Sequence, residues 1–145
     1  MSIVILALFI GPHLASDDSA NLAALPPSER TKEVQLSIEI ADESAEQARG
    51  LSGRAYLPED SGMLFVFKEE GYPGFWMKDM NFALDFVWMD QNFKVVDLDE
   101  NIGPETYPKV YKPNEPAKYV LEVNAGFIEQ QGIKIADTLA LALDQ

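Results

Sequence analysis

Asp85, Glu122 and Lys78 are the side chains whose types and settings best suit chemistry. Asp85 sits between Leu84 and Phe86, in a segment that is apolar on both faces of a strand. A carboxylate in such a place is costly unless it is paired or hydrogen-bonded. Its expected partner is a cation: Arg49, Arg54 or Lys78. Glu122 shares a strand face with Lys118 and Val120. Together Asp85 and Glu122 could serve as the two carboxyl groups of a small hydrolase or lyase, such as one that cleaves glycosides, with Lys78 or an arginine as electrophile. That chemistry needs one carboxyl group held protonated while the other stays ionised. The plainer reading makes Asp85 half of a structural ion pair, since a chain with 24 acids offers carboxylate pairs by chance.

Lys78 and Asp79 follow three bulky side chains, Phe75, Trp76 and Met77. In an extended segment Trp76 and Lys78 share one face, while Phe75, Met77 and Asp79 share the other. A lysine beside a tryptophan either binds an anion or covers the ring with its own stem. Arg49 and Arg54 flank a Gly-Leu-Ser-Gly turn, where both guanidinium groups could meet one carboxylate or simply support the end of a helix. Asp97, Asp99 and Glu100 lack the spacing of a calcium loop and read as a solvated acidic edge. The aromatics Phe75, Trp76, Phe82, Phe86 and Trp88 are mostly core. A small domain cannot easily bury them all, so one or two are expected to line a groove suited to a small molecule, a glycan or a peptide.

Whole classes of chemistry are absent. The chain has no cysteine, and its one histidine, His13, lies ahead of the domain. Disulfides, thiolate catalysis and histidine-based triads drop out, and no metal site or cofactor is expected. Net charge is −13, and from Glu33 onward 21 acids face 9 bases. Nucleic-acid binding needs a basic footprint that this composition does not supply.

The elements that must position these residues are short strands. Val34 to Ile40 alternates apolar and polar. Asp42 is a candidate cap for a helix over Ser44 to Leu51. Met63 to Phe67, Ala83 to Met89, Phe93 to Leu98, Ala117 to Val123 and Thr138 to Leu143 read as strands, with a tight turn at Asp90-Gln91-Asn92. Residues 103–116 hold four prolines and read as a loop, with a short strand near Tyr111. Ala125 to Gln131 is helical until Gly132. The expectation is a mainly β domain with short helices (α+β), a small barrel-like fold of about seven short strands.

Ahead of it, residues 1–32 read as a signal-like or anchoring leader with a linker. Ile3 to Ile10 is an unbroken apolar run ended by Gly11-Pro12, far shorter than the roughly 18 residues of a membrane-spanning helix. Leu14-Ala15-Ser16 offers a cleavage site, though no base precedes the run. A buried strand is the alternative reading of the same residues. Residues 33–145 form the single domain.

Four segments carry a family resemblance: Arg49-Gly50-Leu51-Ser52-Gly53-Arg54, Gly62-Met63-Leu64-Phe65-Val66-Phe67, Phe75-Trp76-Met77-Lys78-Asp79-Met80, and Tyr119 to Gly126 with Glu122 and Asn124. In order and spacing they resemble the uncharacterised domain family DUF192, from about Val34 to Leu141. The resemblance implies a compact β-barrel-like fold, often in envelope proteins, and supplies no reaction. One departure is Ala136, where the family usually has glycine. The function expected is therefore a non-catalytic envelope module. It would bind through Arg49, Arg54, Trp76, Lys78, Asp79, Asp85, Glu122 and Asn124, with an envelope protein as a possible partner. The carboxylate enzyme is the alternative.

Overall fold

The computed structural model describes residues 3–9 and 32–143. Its strands are β1 (Ile3–Phe9), β2 (Lys32–Ala41), β3 (Ser61–Gly71), β4 (Leu84–Met89), β5 (Val95–Ile102), β6 (Ala117–Asn124) and β7 (Thr138–Leu143), and its helices are α1 (Ser44–Arg49) and α2 (Phe127–Gln131). The strands form one sheet in the order β5-β4-β6-β3-β2-β1-β7. All pairings are antiparallel except β2 with β3, which α1 connects. The mainly β reading with short helices holds. A closed barrel does not form: among the described residues, beyond the ladders, the edges meet through a Lys94–Thr138 bridge and neighbouring backbone bonds such as Val95 N–H to Asp137 O.

The apolar run at Ile3–Phe9 is strand β1, lying between β2 and β7. The segment expected to link it to the domain lies outside the described residues. Among those described, no helix is long and apolar enough to cross a membrane.

Alternation along the strands makes two apolar layers, one on each side of the sheet. Val87, Met89, Leu121, Val123 and Leu64 join Leu36, Ile38 and the helix residues Phe127 and Ile128 on one side. Leu84, Phe86, Trp88, Val120, Met63 and Phe65 face the other side, under Leu51, Leu57, Phe75, Met77 and Tyr111 from the loops. All six residues of β4 are buried, so it is the middle of both layers. Burial of a large apolar side chain contributes about 1.5–3 kcal/mol, so these layers dominate the stability.

Local signals set the element ends. Helix α1 starts at Glu43, not Asp42, and the Glu46 carboxylate accepts the Glu43 N–H at 3.4 Å. Gly132, at φ 69°, stops α2. The β4–β5 turn is longer than the tight one expected. It uses five residues, Asp90 to Lys94, with Phe93 at φ 59° and the Asp90 carboxylate accepting the Asn92 and Lys94 N–H groups. The turn before β7 forms despite Ala136, which is held at φ 78°. A left-handed alanine costs roughly 1–2 kcal/mol relative to the usual backbone. Its N–H bond to Val95 O and the Lys134 N–H bond to Asp137 Oδ2, both 2.8 Å, offset that cost.

Candidate functional site

Strand β4 places Asp85 on the helix side of the sheet, completely buried. Its carboxylate accepts two backbone N–H groups, from Asn101 at 2.7 Å and Ile128 at 2.9 Å. The first holds the chain where Asn101 turns at φ 54°, and the second holds the first turn of α2. The expected cation partner is therefore replaced by backbone donors. Hydrogen bonds to a charged acceptor are the strong kind, which explains how a carboxylate is tolerated in this core.

Glu122 pairs across the sheet with Phe86 and Met63, whereas Asp85 pairs with Val123. Glu122 and Asp85 thus point to opposite sides, and the carboxylate pair needed for the hydrolase reading is not assembled. Glu122 is only 5% exposed, and among the described residues its Oε2 has no hydrogen-bond partner. Burial pushes its carboxyl group up to about 8, from an ordinary 4.5. It is a mostly neutral acid at pH 7. Two residues on, Asn124 donates from Nδ2 to Leu57 O at 2.8 Å and Pro58 O at 3.1 Å, latching the 50–60 loop onto β6.

Of the remaining expected residues, Arg54, Trp76, Lys78 and Asp79 lie on loops and Arg49 ends helix α1. Arg54 does not meet Asp85. It forms a two-pronged pair with Glu39, at 2.6 and 2.8 Å, which lowers the Glu39 carboxyl group through the hydrogen bond and raises the guanidinium. Arg49 stands exposed in the last turn of α1, so the two arginines do not converge on one carboxylate. Asp79 turns the chain at φ 56°. Three bonds zip the 52–54 and 78–81 loops together: Ser52 Oγ to Lys78 O, Gly53 N–H to Asp79 O, and Asn81 Nδ2 to Arg54 O.

The inside–outside alternation at residues 75–78 is as expected. Phe75 and Met77 are buried, and Phe75 packs at right angles to Phe65 and Trp88, with ring centres 4.8 and 5.3 Å apart. Trp76 is 50% exposed, and the Lys78 ammonium lies 5.8 Å from its ring centre. Backbone bonds between Phe75 and Tyr111 bring the proline-rich 104–111 segment alongside. Tyr107 then meets Trp76 edge-on at 5.7 Å, with Val110 also exposed nearby against Gly74. Tyr107 and Val110 were not legible as site residues. The only signal was the density of prolines and tyrosines in a loop.

Asp97 and Asp99 are half-buried rather than a solvated edge. Asp97 Oδ2 accepts Asn114 N–H and Nδ2 at 2.8 Å, and Asp99 Oδ2 accepts Trp88 Nε1 at 2.9 Å. Burial raises the Asp99 carboxyl group, and the Trp88 bond opposes the rise. Among the described residues, no group of three or more His, Cys, Asp or Glu side chains is placed to hold a metal. Two open surface depressions, of about 720 and 470 Å³, include Asn124 but neither Trp76 nor Tyr107.

Comparison with known proteins agrees with this geometry at the level of fold. A UPF0127 protein of Pyrococcus furiosus is 29% identical over 115 residues, covering 74% of this chain and 89% of its own. A solved structure from Sinorhizobium meliloti, described as a candidate transcription regulator, superposes with a TM-score of 0.76 at 26% identity. That match covers 96% of this chain and 93% of the other. A protein of unknown function from Novosphingobium aromaticivorans gives 0.74 at 25% identity, over 95% of this chain and 84% of the other. The family model for DUF192, uncharacterised ACR, COG1430, matches residues 27–141, and the chain belongs to that family.

Proposed function

We propose that the protein is a non-catalytic binding module whose ligand rests on the Trp76–Tyr107 platform beside the Lys78 ammonium. The observation that carries this reading is a half-exposed tryptophan fixed by its neighbours. Phe75 and Met77 are buried on either side of it in sequence, so Trp76 cannot retract without breaking the core. An aromatic surface kept open in this way costs stability that burial would have returned, and such surfaces mark contact sites. The separation of Asp85 from Glu122 argues against carboxylate catalysis. The deficit of basic residues argues against nucleic acid, so the description of the Sinorhizobium protein stays with that protein.

The reading also places the domain in the cell envelope, on the strength of the apolar run and the leader-like residues after it. Membership of Ile3–Phe9 in the sheet and removal of a leader exclude each other. Cell fractionation with N-terminal sequencing separates them: a mature chain starting near Asp17 in the envelope fraction would support the address and mean that the exported domain lacks β1, and an intact chain in the cytosol refutes the address.

The binding reading is tested by thermal unfolding against small molecules, glycans and peptides. A ligand that binds only the native state stabilises it by about 2.7 kcal/mol at a hundredfold excess over Kd. The expected shift disappears in Trp76→Ala and persists in Arg49→Ala. A shift that survives Trp76→Ala places the ligand elsewhere and overturns the proposal.

A further inference from the structure

We infer that the platform takes an acidic saccharide, a pyranose ring carrying a carboxylate; this rests on the binding reading above and names its ligand class. Charge is the first argument. The segments 72–79 and 104–112, which build the platform, hold three lysines (Lys78, Lys109 and Lys112) against two acids (Asp79 and Glu105). The rest of the domain from Glu33 holds 19 acids against 6 bases. Lys78 lies at the Trp76 ring and Lys112 against Gly74, while Lys109 lies over Tyr111 and acts on Asp99, so on a strongly anionic body an anion meets least repulsion at the two lysines beside Trp76.

Shape is the second. Trp76 and Tyr107 meet at 67°, so one ring supplies a floor and the other a wall. The C–H face of a sugar ring suits the negative π face of an indole. The Lys78 ammonium stands beside that floor, where a carboxylate at the rim of a stacked ring can pair with it. An extended peptide fits less well. Phe75 and Tyr111 already use their backbone N–H and C=O groups on each other, at 2.8 and 2.9 Å, so no open strand edge is offered there.

The test is a titration of the full chain with oligogalacturonate, read by tryptophan emission. Matched neutral galacto-oligosaccharide and poly-glutamate serve as the two controls. Trp88 is completely buried, so a change on binding reports Trp76, while the Trp88 signal checks that each variant is folded. Oligogalacturonate is expected to bind saturably, at least tenfold more tightly than either control. Lys78→Met, which keeps the apolar stem, should weaken it about tenfold, and Tyr107→Ala should weaken it further; Trp76→Ala, which removes the reporter, is followed by titration calorimetry instead and should weaken binding at least as much. Equal binding of the neutral sugar, equal binding of poly-glutamate, or indifference to Lys78→Met overturns the saccharide assignment. If some other compound perturbs Trp76 and uronates do not, the saccharide falls and the platform stands. If nothing perturbs Trp76, both fall.

Discussion

Asp85 and Glu122 lie on neighbouring strands, one position out of register, and the sheet turns them to opposite sides. Both are acids inside an apolar layer. Asp85 has two backbone donors, and they come from the two elements that follow it in space, the end of β5 and the start of α2. Glu122 has a carboxyl oxygen with no partner and stays protonated well above the usual range. The difference teaches that burial alone does not define the role of a carboxylate. The donors around it decide whether it is a structural tie or a neutral acid waiting for a base.

Four measurements break or sharpen that contrast. Asp85→Leu strands the buried Ile128 N–H and the partly buried Asn101 N–H, and an unsatisfied buried donor costs about 1–3 kcal/mol. A loss of about 3–5 kcal/mol in urea unfolding is expected, together with faster amide exchange at Asn101 and Ile128. A loss below about 1 kcal/mol would show that Asp85 is not the tie described.

Glu122 should reveal itself through pH. Its folded value lies near 8 and its ordinary value is 4.5, so between these the folded state holds a proton that the unfolded state has released. Stability from this group is complete below about pH 4.5 and drains away as pH rises to about 8, by a few kcal/mol in all. Glu122→Gln keeps the shape without the titration. The two proteins should match near pH 5, and the variant should be the more stable at pH 9. Parallel pH profiles would mean that Glu122 finds a partner and resembles Asp85 after all.

Asp99 stands between these extremes, with one side-chain donor and partial burial. Trp88→Phe removes that donor at a cost of about 1–3 kcal/mol. It should also move the Asp99 carboxyl group further up, as carboxyl NMR would detect. Glu39 closes the series at the solvent side. Its pairing with Arg54 is largely exposed, so Arg54→Ala should cost less than about 1 kcal/mol and less still in high salt.

The sequence reading went as far as alternation can go. Phe75 and Met77 inward with Trp76 and Lys78 outward follow from period two, and so does the burial of Phe86 and Trp88. The demand for a partner at Asp85 was also legible. The identity of that partner was not, because a backbone N–H has no residue type and leaves no mark in the sequence. Likewise, the relation of Asp85 to Glu122 depends on strand register. A slip of one residue reverses a face, and β4 meets β6 only after β5 and a long loop, so no local turn signals their register. Tyr107 escaped because it reaches Trp76 through an isolated Phe75–Tyr111 bridge in a loop, where no period exists to follow.

Strand β4 carries one further consequence, for the chain before it folds. Leu84 to Met89 is a run of six residues rich in aromatic and branched side chains, without proline or glycine, and Asp85 is its only charge. Short segments of that composition self-associate as stacked strands when exposed. A single charge inside them acts as a gatekeeper against aggregation. Asp85 would therefore protect the nascent chain through the same carboxylate that later ties β5 to α2. Its replacement by leucine should lower soluble yield beyond what the loss of folded stability explains.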